Sequence, residues 1–355
     1  MLDDLERMMA LDRSGMLETV GAFPDQLRHA TVLSESVDWP TVDPRNVVIA
    51  GMGGSGISGQ LLRDWARERL DVPVDVVNDY RLPSYCGNRT LVIVESYSGN
   101  TEETLSCFED SIMRGCHTVA VASGGELAAR ARQRGVPLVA IPDDLPVPRA
   151  ATAYLFVPLL VGMEAVGLAY AKDELREAHT VLSGIQKQLA PTNPTDGNSA
   201  KQLAHSLLGT IPVIYGQGIL GAAARRWRCQ LNENPKMLAR DDVFPECNHN
   251  DTPSWGESGN QDLFSVVILR DTLENQDTID RIELTREIAF RNARLTCEVR
   301  AQGEGALARI LSTTYVGDYT TLYLAFLRGM DPAPVEMIED LKNALRARRA
   351  EREQQ

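Results

Sequence analysis

"VVIAGMGGSGISGQLLRDW", residues Val47–Trp65, decides the fold. Four apolar residues, Val47 to Ala50, lead into Gly51, Gly53, Gly54 and Gly56, and the amphipathic run "ISGQLLRDWARERL" follows at once. Strand, glycine turn and helix in that order present bare backbone N–H groups at a helix N-terminus, where an anion is favoured. A tight turn with nothing bound in it has the same local pattern, so the glycines alone leave both readings open. The spacing Gly51-x-Gly53-x-x-Gly56 matches a dinucleotide fingerprint formally, but no Gly-Lys-Ser/Thr ending follows, which excludes a nucleotide P-loop.

Outward from this turn the pattern repeats. Short Val- and Ile-rich runs, "VPVDVV" at Val72, "TLVIVES" at Thr90, "HTVAVAS" at His117 and "VPLVAIP" at Val136, alternate with helical segments such as "TEETLSCFEDSIMRG" and "ELAARARQRG". That alternation implies a parallel sheet with helices on both faces, here over residues 43–150. Residues 1–42 read as an N-terminal helical extension and residues 151–199 as a helical linker ending in the Pro/Asn/Gly stretch "APTNPTDGNSA". Residues 200–355 resume the alternation with "IPVIYGQG", "GAAARRWRCQLNEN", "FSVVILRD" and "LTCEVRAQG". They close on the long apolar helix "GALARILSTTYVGDYTTLYLAFLRG" and a charged C-terminal helix end, "NALRARRAEREQQ". The expected fold is α/β, with two doubly wound parallel sheets and flanking helices.

Composition narrows the function. With 43% hydrophobic and 24% charged residues the 355-residue chain is an ordinary globular one, long enough for two domains. A formal net charge of -13 argues against nucleic acid as the main partner, which wants a basic stripe. No apolar run reaches the roughly 20 residues of a membrane helix. The acidic, mixed start "MLDDLERMMALDRSGMLETV" does not read as a signal peptide. Six scattered cysteines without a Cys-x-x-Cys pair suit reduced thiols, so a cytoplasmic protein is expected. The five histidines are dispersed and no carboxylate/His cluster has ligand spacing, so neither a metal nor a cofactor is expected.

A second turn sharpens the anion reading. "VIVESYSGNTEET" ends a strand in Ser96, Tyr97, Ser98, Gly99, Asn100 and Thr101 before a helix. Thr101 or Ser98 could simply cap that helix, with Glu102 or Glu103 in its first turn. Capping leaves the crowd of hydroxyls around one glycine unexplained. In an open α/β sheet ligands sit outside the carboxyl ends of the strands. One glycine-rich and one hydroxyl-rich loop would converge there on a phosphate-sized anion rather than on a dinucleotide, which needs a ribose-binding acid.

"GMGGSGISG", "SYSGNTEET", "NENPK" and "PECNHND" together resemble the sugar-isomerase (SIS) domain proteins, and within them the bifunctional phosphoglucose/phosphomannose isomerases. The resemblance runs from about Asp43 to Lys342 and implies two SIS domains, residues 43–150 and 200–355. It implies Gly54, Ser55, Ser96, Ser98 and Thr101 as the ligands of a sugar phosphate. Aldose–ketose isomerisation moves a proton between adjacent carbons through an enediol, which needs a base on carbon and acid/base help at oxygen. The resemblance gives Glu233 the role of base and His249, between Asn248 and Asn250, a part in ring opening; amides on either side could fix the ring tautomer. It implies Arg149 for substrate and enediolate, and Lys342 in "MIEDLKNAL" for the ring proton. Without it Glu233 reads as a solvated helix-end residue, His249 as an exposed loop histidine and Arg149 as a surface charge.

Glucose 6-phosphate and fructose 6-phosphate are the implied substrates, with mannose 6-phosphate beside them. The threonine that the family places near its C-terminal lysine is missing from Asp331-Pro332-Ala333-Pro334, so the mannose arm is the weaker implication. A homodimer that shares active sites is implied as well, with His249 supplied across the interface. A sugar-phosphate-binding SIS regulator without catalysis would keep the two loops and lose Glu233 and His249. An amidotransferase would need an N-terminal nucleophilic cysteine, and none stands there.

Overall fold

The computed structural model describes residues 1–257 and 259–353. Among them the eight apolar runs and one charged segment, β7, form nine strands in two parallel sheets: β1 (Asn46–Gly51), β2 (Val74–Val77), β3 (Thr90–Ser96), β4 (His117–Ala122) and β5 (Leu138–Ala140) in the first, β6 (Ile211–Gln217), β7 (Arg240–Phe244), β8 (Phe264–Arg270) and β9 (Leu295–Arg300) in the second. Their orders are β2-β1-β3-β4-β5 and β7-β6-β8-β9. Every pairing is parallel, with Asn46 opposite Thr90 and Gly51 opposite Glu95 at the two ends of the β1–β3 ladder. β1 and β3 are buried almost throughout, which is why they read as continuous apolar runs rather than alternating ones.

Helices surround the sheets. α1 (Leu5–Leu11), α2 (Met16–Gly21) and α3 (Phe23–Glu35) precede the first sheet; α4 (Gly54–Ala66), α5 (Glu102–Met113) and α6 (Gly125–Arg134) connect its strands. α7 (Thr152–Ala165), α8 (Lys172–Leu189) and α9 (Ser199–Leu207) lead to the second sheet. α10 (Gly221–Glu233), the short α11 (Cys247–Asn250) and α12 (Ser254–Glu257), and α13 (Gln276–Ile288) lie within it, and α14 (Ala306–Leu327) and α15 (Glu336–Glu353) close the chain. α14 is buried along nearly its whole length and α7 likewise, so neither keeps a solvent-facing polar stripe. α8 keeps one buried stripe, Leu175, Ala178, Leu182, Ile185 and Leu189.

One apolar cluster runs through both halves, from Met8, Phe23 and Leu27 through Trp65 and Phe156 to Trp227, Tyr315 and Tyr323. The helices of residues 1–42 are thus a wall of the shared core rather than an appendage. The stretch "APTNPTDGNSA" does lie between the sheets, but it is stapled rather than loose. The buried Lys201 ammonium donates to the carbonyls of Leu2, Pro191 and Asn193, and Asp3 accepts from Thr195.

Candidate active site

In the first sheet the chain turns one way out of β1 and the other way out of β3, so a crevice opens between their carboxyl ends. Both motif loops meet there. Gly51 ends β1, and a Cβ on it would lie 2.9 Å from the Ser55 carbonyl oxygen. Only glycine lets the first turn of α4 sit so close to the strand. Gly53, at φ 53°, turns the chain into the helix. Ser55 then joins the two loops, its Oγ accepting from the Tyr97 N–H at 3.3 Å.

The hydroxyl loop is arranged for something other than capping. Thr101 is the residue before α5, yet its side chain caps nothing. Its hydroxyl faces Ser96 Oγ at 3.0 Å, while Ser98 stands exposed with Oγ accepting from the Asn100 N–H. Gly99 has φ 68°, and a Cβ there would strike the Gly124 carbonyl. The first turn of α5 carries two carboxylates, Glu102 and Glu103. Glu102 is paired with Arg349 of α15.

Arg149 links this crevice to the second half of the molecule. It lies in a 3-10 turn, Pro148–Ala150, and an added Cβ on Gly54 would lie 3.1 Å from its backbone N and Cα. From there its buried side chain crosses over. Nε donates to Asn234 Oδ1 at 2.9 Å, Nη1 to Glu233 Oε2 at 3.3 Å, and Nη2 to the carbonyls of Pro332 and Ala333 at 2.6 and 3.0 Å. Burial pulls its guanidinium below the ordinary value and Glu233 works against that; an arginine keeps its charge regardless. Arg149 is therefore no surface charge, and Glu233, the last residue of α10, is a half-buried partner rather than a solvated end.

Several residues hold this pair, and apart from Asn234 and Lys236 of "NENPK" the sequence reading passed over them. The Arg226–Asp318 pair, buried on both sides, binds Gln230 Nε2 through Asp318 and the Arg149 carbonyl through Arg226 Nη2. Asn234 Nδ2 donates to Thr321 Oγ1. Lys236, at φ 52°, donates to the carbonyls of Asn234, Asp331 and Pro332, and burial first, then the nearby Arg149, lowers its pKa. The available signal was Asp318, the single acidic residue of the buried α14.

His249 and Lys342 sit differently. His249 is exposed on α11, and its neighbours do not hold the ring: Asn248 Nδ2 donates to Thr285 and Asn250 Nδ2 to Glu246. The expectation that flanking amides fix the tautomer is corrected, because a single helical turn points them elsewhere. Lys342 is exposed on α15. Among the described residues neither side chain has a hydrogen bond or ion pair with Glu233 or Arg149.

Residues 196–345 match the family described as bacterial phospho-glucose isomerase C-terminal SIS domain. The bifunctional phosphoglucose/phosphomannose isomerase of Caldicellulosiruptor bescii is 39% identical over 93% of this chain and 98% of its own. This chain belongs to the bifunctional phosphoglucose/phosphomannose isomerase family. The Thermoplasma acidophilum protein of the same name is 37% identical over 84% of this chain and 89% of its own. The crystal structure of a glucose-6-phosphate isomerase like protein from Thermus thermophilus superposes with a TM-score of 0.62, covering 94% of this chain and 98% of that one at 20% identity. It shares the fold.

In this member of the isomerase family the second sheet repeats the geometry of the first. A Cβ on Gly216 would collide with the Leu220 carbonyl oxygen, as one on Gly51 would crowd Ser55. The repeated turn is filled from within. Asp64 of α4 accepts from the Ala222 N–H at 2.6 Å, at the start of α10, and burial raises the pKa of that carboxyl. Among the described residues no three His, Cys, Asp or Glu side chains stand together as metal ligands would, and no helix is long and apolar enough to cross a membrane.

Proposed function

We propose that this protein is a sugar-phosphate isomerase that interconverts glucose 6-phosphate and fructose 6-phosphate, and mannose 6-phosphate and fructose 6-phosphate, without metal or cofactor. The observation that carries the reading is Arg149. Its backbone touches the glycine turn and its guanidinium holds Glu233, so a phosphate at the turn puts the sugar's far end beside a base and a cation. The phosphate ester takes N–H groups at the start of α4 and hydroxyls of Ser55, Ser96, Ser98 and Thr101. Glu233 removes the C2 proton of the open-chain aldose while the C1 carbonyl oxygen takes up a proton from solvent, which gives the enediol. The same carboxyl returns its proton to C1 as the O2 proton passes back to solvent, which leaves the ketose. A guanidinium has five N–H donors. Four contacts are made within the chain, so one Nη1 hydrogen is left for the oxyanion that develops at O1 or O2.

His249 opens the ring from across a homodimer interface and Lys342 handles the ring proton; both are family assignments. The exposed Met337, Leu341 and Leu345, spaced one turn apart on α15, support an assembly in which that helix is covered. Reduced cysteines and the family's chemistry support a cytoplasmic setting. The test is Glu233→Gln: conversion and solvent deuterium exchange into C1 or C2 should both vanish while the sugar phosphate still binds. Exchange at near wild-type rate would remove Glu233 as the base.

A further inference from the structure

Glu95, at the end of β3 beneath the glycine turn, is completely buried and takes no part in the chemistry proposed for Glu233 and Arg149. Its Oε2 lies 2.5 Å from Ser58 Oγ, and Ser58 Oγ lies 2.6 Å from the Ser55 carbonyl oxygen. Its Oε1 has no partner among the described residues. A serine hydroxyl carries one hydrogen, and a backbone carbonyl can only accept. The hydrogen of Ser58 that bonds Ser55 is therefore unavailable to Glu95. The remaining 2.5 Å contact is a hydrogen bond only if Glu95 brings the proton: Glu95 Oε2–H donates to Ser58 Oγ, and Ser58 donates to the Ser55 carbonyl. An ionised Glu95 would leave one contact as oxygen against oxygen. It would also bury a carboxylate oxygen with no donor, which is far costlier than a bare neutral carbonyl.

Among the described residues nothing around it offers a compensating cation. β1 and β4 place Gly51 and Val121 beside it. On the covering face α4 brings Ser58, while its charged Asp64 holds the Ala222 N–H and Arg63 lies against Asp64. The 3-10 turn brings Arg149, committed to Asn234, Glu233 and two carbonyls. α7 carries Tyr154, bonded to His29, and Glu164, which accepts from the Ala171 N–H. Burial accordingly holds the Glu95 carboxyl well above the usual carboxylate range.

We propose that Glu95 is a neutral, protonated acid in the working protein and a positioning residue for the phosphate turn. Its proton fixes Ser58, Ser58 fixes the Ser55 carbonyl, and the first turn of α4 is held with its N–H groups outward. Its neutrality also spares a phosphate dianion a buried negative charge. The inference rests on the reading of that turn as the phosphate site.

Infrared difference spectroscopy of the full-length protein in neutral buffer tests the protonation: wild type minus Glu95→Gln should show the carbonyl stretch of a protonated carboxyl. A carboxylate band in its place overturns the proposal. Steady-state kinetics test the positioning. Glu95→Ala should raise KM for glucose 6-phosphate about tenfold with kcat little changed, and Glu95→Gln, whose amide can donate to Ser58, should recover most of that loss. Ser55→Ala is run beside them. If it raises KM and Glu95→Ala does not, the positioning role falls. If neither moves KM, the phosphate reading itself falls. Should Glu95→Ala fail to fold, the infrared band and the KM of Glu95→Gln remain: a KM as high as that of Ser55→Ala overturns the relay.

Discussion

Replacing Arg149 with lysine keeps the positive charge and removes the fork. The native guanidinium offers five donors and binds Asn234, Glu233 and the carbonyls of Pro332 and Ala333 with four of them. An ammonium offers three, all diverging from one atom. At least two donors are lost, the free one and one that now satisfies a buried acceptor. An acceptor left bare in so buried a place costs about 1–3 kcal/mol of stability, which urea unfolding will show as a lower midpoint at unchanged slope. The free donor matters only when the enediolate forms. Its loss should take about 2.7–4 kcal/mol from the transition state, or roughly 10²–10³ in kcat. KM should move little, because the phosphate turn is untouched. The assay is the initial rate of fructose 6-phosphate formation from glucose 6-phosphate by folded Arg149→Lys protein. A kcat within a few-fold of wild type would refute the assignment of that hydrogen to the developing oxyanion.

Ser55→Ala or Thr101→Ala should raise KM for the sugar phosphate roughly ten- to hundredfold, the range of one lost hydrogen bond to a charged group. Inorganic phosphate should inhibit wild type competitively, and unchanged KM in both variants would count against the phosphate site. Activity should survive prolonged EDTA; loss with chelator and recovery with zinc would reveal a metal. Glu233→Gln and His249→Ala subunits, each inactive, should regain activity when allowed to exchange, since a mixed dimer then holds one intact site. No recovery despite demonstrated exchange would mean that each site is built within one chain.

The centre of the first sheet was legible because β1, β3 and β4 are buried on both faces and must be apolar in runs. β7 was not. Its sequence, Arg240 to Phe244, is charged because it forms the edge of the second sheet and is only partly buried, so no hydrophobic run announces it. The linker reading of residues 190–200 followed from prolines, asparagines and a glycine, but composition does not reveal the Lys201 ammonium that ties those carbonyls down. At the site, the loops that carry hydroxyls and glycines declared themselves locally. Arg149 did not, because its meaning depends on partners 84 to 184 positions away in the chain. Glu95 was hidden for a similar reason: a carboxylate inside "TLVIVES" reads as the end of a strand until the depth of its burial is known.

The Asp64 carboxylate on the Ala222 N–H gives the molecule a built-in count. Two turns of the same shape would otherwise offer two places for an anion, and a helix N-terminus does not distinguish a substrate's phosphate from a neighbour's carboxylate. With the second turn occupied by its own chain, calorimetric titration with a sugar phosphate should reach saturation at one equivalent per chain. That internal ligand also bolts α4, the helix that begins at the first turn, to α10, the helix that ends at Glu233. The span between phosphate and base is thereby set by a bond that the substrate never touches.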